Sequence, residues 1–147
     1  MTQIIYKKDV ETTVRDEVEK FLRPFVWLIP TWCHELHIEM QTSADGENAA
    51  IRTGVTPEYR FAHMTFYSAW LTCTEEAKTL HVVHDLLHIA NCPYVDFAEE
   101  VIRNLLPKVE NERFYGYLME QSRFQCESMT QDLAKAIYER FRNDHTA

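Results

Sequence analysis

Apolar residues recur every three or four positions at Val10, Val14, Val18, Phe21, Leu22 and Phe25, which predicts an amphipathic helix from near Asp9 to Arg23. Pro24 ends or kinks it. Beyond Leu28-Ile29-Pro30-Thr31-Trp32 the period shortens to two. His34, Leu36, Ile38 and Met40 then share one face of a predicted strand, with His34 read as a core histidine. Ser43 to Asn48 is a turn by composition, followed by a strand over Ala49 to Val55 and a second break around Thr56-Pro57-Glu58. Tyr59 to Trp70 is rich in aromatic and β-branched residues, with apolar side chains on both faces, and reads as a largely covered strand.

Helical spacing returns after Trp70. Thr72 or Thr74 can cap the next helix, with Glu75 and Glu76 favourable in its first turn. Its end is expected near Asn91-Cys92-Pro93, because the residue before a proline resists the α region. Tyr94 to Leu106 predicts a further amphipathic helix stopped by Pro107. The last element, Val109 to Arg142, is helical by propensity, with Leu118, Met129, Leu133, Ala136 and Ile137 as its main apolar face and Gly116 as a candidate interruption. The order of elements predicts an α+β fold. It comprises an N-terminal helix, a small antiparallel or mixed sheet, a histidine-bearing helix and C-terminal helices, in one domain over residues 1–147.

Composition narrows the partners. A formal net charge of −8, with 15 basic residues scattered along the chain, disfavours nucleic acid. The first residues, Met1 to Asp9, carry no apolar run after a basic start, and no stretch approaches a membrane span, so a cytoplasmic protein with no membrane partner is expected. Cys33, Cys73, Cys92 and Cys126 form no C-x-x-C pair and are expected as buried free thiols.

The clearest chemistry lies in Leu80-His81-Val82-Val83-His84-Asp85-Leu86-Leu87-His88-Ile89. On a helix, His84 and His88 stand one above the other, about 6 Å apart along the axis, where both can reach one ion. Asp85 projects beside that ion, where a carboxylate can take a proton from an activated water. The pattern H-D-x-x-H is an aspartate version of the H-E-x-x-H zinc motif. His81 lies about 10 Å of axis from His88 and is expected near the site rather than on the ion. The competing reading is a buried helix whose histidines only hydrogen-bond to neighbours. The acid at the motif position, and the cost of burying two rings one turn apart without shared partners, favour the metal. A two-histidine site needs a further protein ligand. The C-terminal helix offers Glu127, on the border of its apolar face, and Glu120 as the alternative.

Together these residues resemble the compact zincin-like metallopeptidases of gluzincin type, including small ones from bacteria and phages. The resemblance rests on several features in chain order. An N-terminal helix leads into Leu28-Ile29-Pro30-x-Trp32, and antiparallel strands follow, one beginning at Tyr59. The His84-Asp85-x-x-His88 helix comes next, then a later helix carrying Glu127 ahead of Leu133-Ala134. It implies a zincin-like fold, one Zn2+ on His84, His88 and Glu127, Asp85 as general base, and hydrolysis of peptide or amide bonds in a peptide or protein substrate. The departure from the family is Asp85 where the usual residue is Glu, a side chain one methylene shorter. Tyr115 and Tyr117 are candidates for stabilising a tetrahedral oxyanion. The alternative is a non-catalytic interaction or regulatory protein on the same scaffold, its metal structural or lost. In that case His81 is the candidate to interfere at the fourth coordination position.

Overall fold

A computed structural model describes residues 2–42, 50–105 and 112–146 of the chain. The elements are β1 (Gln3–Tyr6), α1 (Thr12–Leu22), a 3-10 segment (Arg23–Leu28), β2 (Glu35–Gln41), β3 (Ile51–Thr56), a 3-10 turn (Pro57–Tyr59) and β4 (Phe61–Tyr67). They continue with a short α2 (Ser68–Leu71) and two long helices, α3 (Glu75–Leu105) and α4 (Glu112–Thr146). The class is α+β, and the sheet is mixed. Its strand order is β1-β2-β4-β3, with β1, β2 and β4 parallel and β3 antiparallel to β4 at one edge. A parallel pair needs a crossover, and α1 supplies it between β1 and β2. β3 and β4 are joined by a tight turn closed at Arg60, whose φ of 58° is left-handed.

Pro24 changes the helix type rather than stopping the chain, since α1 passes directly into the 3-10 segment. Leu36 and Ile38 of β2 are buried as the alternation requires. His34 is not a core histidine: it is exposed ahead of the strand, 3.3 Å from an Arg60 guanidinium nitrogen. β4 lies between β2 and β3, and Ala62, Met64, Thr65, Phe66 and Tyr67 are all buried. The turn expected at Ser43 to Asn48 lies outside the described residues, as does the stop expected at Pro107.

Thr74 caps α3, its hydroxyl accepting the Ala77 N–H at 3.2 Å, while Thr72 closes α2 by donating to the Ala69 carbonyl. The expected end of this helix at Pro93 is overturned. α3 runs unbroken to Leu105 with Pro93 inside it, so the two helices expected from Thr74 to Leu106 are one. A proline removes one helical N–H and crowds the preceding turn, but α3 is tied to α4 on both sides of that point, by Asn91 to Thr130 before it and by Glu99 to Arg123 after it. Gly116 does not interrupt α4. The inward face of α4 also differs from the expected one. Cys126, Thr130, Ala134 and Ile137 turn inward, with Thr130 and Ala134 fully buried, whereas Met129 and Leu133 are exposed.

The core forms between the sheet, α1, the 3-10 segment and the first half of α3, around Leu22, Phe25, Leu36, Met64, Trp70 and Leu86. Trp70 receives Phe21 and Phe66 edge-on, at ring separations of 5.6 and 4.9 Å. Lys78 of α3 reaches Glu17 of α1 at 2.5 Å. No helix among the described residues is long and apolar enough to cross a membrane.

Candidate metal centre

α3 presents His84 and His88 on one face, their rings 4.6 Å apart and nearly perpendicular. α4 sends Glu127 to the same point. Its Oε1 lies 3.4 Å from His88 Nε2 and its Oε2 lies 3.5 Å from His84 Nε2. One ligand atom from each of the three residues falls within 4.8 Å of the others, a grouping that could hold a metal ion. The separations discriminate between two explanations. A nitrogen–oxygen hydrogen bond has its heavy atoms at about 2.7–3.2 Å. Two ligands on a tetrahedral ion, each at about 2.0–2.1 Å, stand about 3.4 Å apart. The two Glu127–histidine separations, each to a different carboxylate oxygen, are longer than a good hydrogen bond and comparable to the spacing of co-ligands. Two imidazoles and one carboxylate also form a donor set that suits zinc and leaves a coordination position open.

Asp85 is 8% exposed and stands behind this group. Its Oδ1 accepts a 2.7 Å hydrogen bond from the Thr53 hydroxyl on β3, and its Oδ2 lies 3.8 Å from His84 Nδ1. Strand β3 therefore fixes the carboxylate, and the carboxylate faces the nitrogen of His84 that points away from Glu127. The Asp85 carboxylate, and after it Glu127, hold the His84 imidazole above its ordinary pKa against the opposing pull of burial. His81 moves the other way: burial, with a smaller push from His84, holds its pKa below the ordinary value against the opposing pull of Asp85, so it is neutral at neutral pH. His81 lines the same cleft, outside the three-residue group, and its buried Nδ1 has no hydrogen-bond partner.

The cleft in front of these residues holds about 600 Å3 between β3, α3 and α4. Cys92, Cys126, Arg123 and Val95 complete its far wall. Cys92 continues the His84–His88 face by one more turn, but burial, with Asp96 beside it, pushes its thiol up to about 12. Burial likewise raises Cys126. Both are therefore protonated thiols at neutral pH in the metal-free protein. Arg123 is held by Glu99, whose buried carboxylate also takes Arg103. Glu120 and Tyr115 line a neighbouring groove and do not join His84 and His88, and Tyr117 lies on the exposed side of α4. The sequence alone does not place Thr53, Arg123 or the two thiols at the site. Helical spacing carries a signal for Cys92 and Arg123, four residues from His88 and Glu127 respectively, but nothing local marks Thr53. No family model, curated protein or solved structure matches the chain.

Proposed function

We propose that this protein is a zincin-like, zinc-dependent hydrolase of peptide or amide bonds, with His84, His88 and Glu127 as metal ligands. The observation that carries the reading is the convergence of one ligand atom from each of His84, His88 and Glu127 to within 4.8 Å of one another, with the Glu127 oxygens 3.4 and 3.5 Å from the two Nε2 atoms. A zinc ion there would act as Lewis acid toward a carbonyl and activate water at neutral pH. The chain's own residues divide the rest of the work. Thr53 holds Asp85, and Asp85 sets the tautomer and direction of His84 and is the carboxylate available to accept the proton. The neutral His81 and Thr53 border the side of the cleft where a substrate would lie.

One observation favours a second reading, a zinc-binding protein without catalysis. Both Asp85 oxygens are already directed at protein groups, Thr53 and His84, as in a carboxylate that only orients a ligand.

Elemental analysis of the purified protein, with zinc affinity measured by titration, tests the metal site. Wild type is expected to hold one zinc, and His84→Ala, His88→Ala and Glu127→Gln should each lose affinity while Glu120→Gln does not. Equal zinc content in all of these proteins would sink the ligand set. Cleavage of unfolded protein substrates by zinc-loaded wild type then separates the hydrolase from the second reading.

A further inference from the structure

The seam of α3 that closes the core does not stop where the core does. Val83 and Leu87 lie on the side of α3 that turns into the core, and both are buried. Ala90, Tyr94, Phe97, Val101 and Leu105 continue the same side at steps of three and four residues. Past Pro93 the seam is uncovered: Tyr94 is 77% exposed, Phe97 67%, Val101 36% and Leu105 73%. Single exposed apolar residues are ordinary, but four large ones in register over three helical turns form a patch that marks an interaction surface.

We propose that this outer seam of α3 pairs antiparallel with the same seam of a second copy of the chain, making a two-fold dimer. Three arguments select that occupant. Steps of three and four residues are the spacing that packs one helix along another, so the seam fits a helix. The order of side chains is self-complementary. An antiparallel pairing about an axis between Phe97 and Val101 sets Tyr94 against the partner's Leu105 and Phe97 against the partner's Val101, a ring against an aliphatic chain at each level. A two-fold contact requires that kind of reciprocity.

Area is the third argument. At about 150–200 Å2 for each side chain, the exposed fractions amount to roughly 450 Å2 of apolar surface per copy. Homodimer interfaces are about 65% apolar, so a contact that buried all of this surface would cover roughly 700 Å2 per copy, close to the ~800 Å2 of a standard stable interface. A lipid surface fits less well, since the exposed polar side of this part of α3 carries Asp96 and Glu100 beside Arg103, whereas membrane-surface helices are rich in Lys and Arg. The pairing is independent of the metal site.

Sedimentation equilibrium of the full chain over a dilution series tests the proposal. Wild type should be a dimer that dissociates on dilution. Phe97→Lys, at the centre of the seam, should weaken it at least about tenfold, and Leu105→Lys, at its end, should weaken it as well. Trp27→Lys, equally exposed but on the 3-10 segment, should leave it unchanged. Circular dichroism and the melting temperature report whether the variants fold. Hydrogen exchange of wild type supplies a measurement free of mutation, with protection at Tyr94–Leu105 rising as protein concentration rises. A monomer at every concentration would overturn the proposal. So would a dimer indifferent to both seam variants, open-ended assembly, exchange at 94–105 unaffected by concentration, or a seam that is covered only by a different protein.

Discussion

Thr53 shows how much of a site can depend on a residue with no chemistry of its own. Its hydroxyl holds Asp85 Oδ1, and Asp85 in turn faces His84 Nδ1, so a strand side chain sets the direction of a helix ligand two steps away. Thr53→Val removes the hydrogen bond at nearly constant volume, leaving a buried carboxylate with one partner fewer. The expected result is a loss of zinc affinity of order ten- to a hundredfold, the usual effect of removing a group that orients a ligand. Asp85→Asn should lose as much affinity if Asp85 only orients. If it is the proton acceptor as well, hydrolysis at saturating zinc should also fall, by about 10²–10⁴-fold. Titration of zinc into both variants, beside their turnover, separates the roles. His84 and His88 were legible from helical spacing alone, and Glu127 only as one of two carboxylates on a later helix. The Thr53–Asp85 bond was not legible, because alternation along β3 says which side a residue faces and not which helix carboxylate waits there.

At the scale of elements, one carboxylate ties three strands. Glu39 on β2 accepts from Lys7, just past β1, and from Thr65 on β4 at 2.6 Å. Lys7 first, and then Thr65, hold the Glu39 carboxyl below its ordinary pKa. A depressed folded-state value means the stabilisation is fully present above the unfolded carboxylate pKa and is lost as pH falls through the folded one. Glu39→Gln should therefore lower the melting temperature at neutral pH and flatten its decline on acidification. Equal acid limbs for the two proteins would refute this.

Pro93 gives a second prediction at the same scale. It is exposed within a continuous helix, so Pro93→Ala restores a backbone donor without opening a cavity. The variant should be stabilised by about 1–3 kcal/mol in thermal or denaturant melts. A loss of stability instead would show that the proline's restraint of the unfolded chain is the larger effect. The same residue explains a failure of sequence reading. A local rule about the residue before proline predicted a boundary, while the packing that carries α3 through it comes from α4, far along the chain. α4 was misread for a related reason. Its buried face includes Thr130, whose hydroxyl accepts from Asn91 at 3.3 Å, so a search for apolar residues settled on Met129 and Leu133 beside it.

For the whole molecule, periodicity recovered α1, β2, β4 and the helical character of α3 and α4, while dividing α3 at Pro93 and assigning α4 a different inward face. It could not give the strand order. β1 was not anticipated at all: four residues at Gln3–Tyr6 are too short a run to show alternation, and they become a strand because β2 lies ready to pair with them in parallel register. The placement of β4 between β2 and β3 is likewise a property of pairing, visible in the sequence only as β4 being apolar on both faces.

The contact between Glu127 and the two histidines also has a topological side. An ion shared by His88 and Glu127 would close a loop of roughly forty residues, running from the outer half of α3 through residues 106–111 to the first half of α4. Closing a loop of that length removes about 4 kcal/mol of chain entropy from the unfolded ensemble if the link survives unfolding, as a disulfide does. A labile ion lacks that permanence, so its effect belongs to the folded state and vanishes with a chelator. The outer hairpin, which has little core behind it, is where the difference should appear. Limited proteolysis with a metal-independent protease should cut between Tyr94 and Phe124 faster after chelation than with zinc present, while fragments ending in the sheet appear at the same rate in both. The coordination site would then act as a removable clasp, deciding how often the hairpin opens without altering how the body beneath it is built.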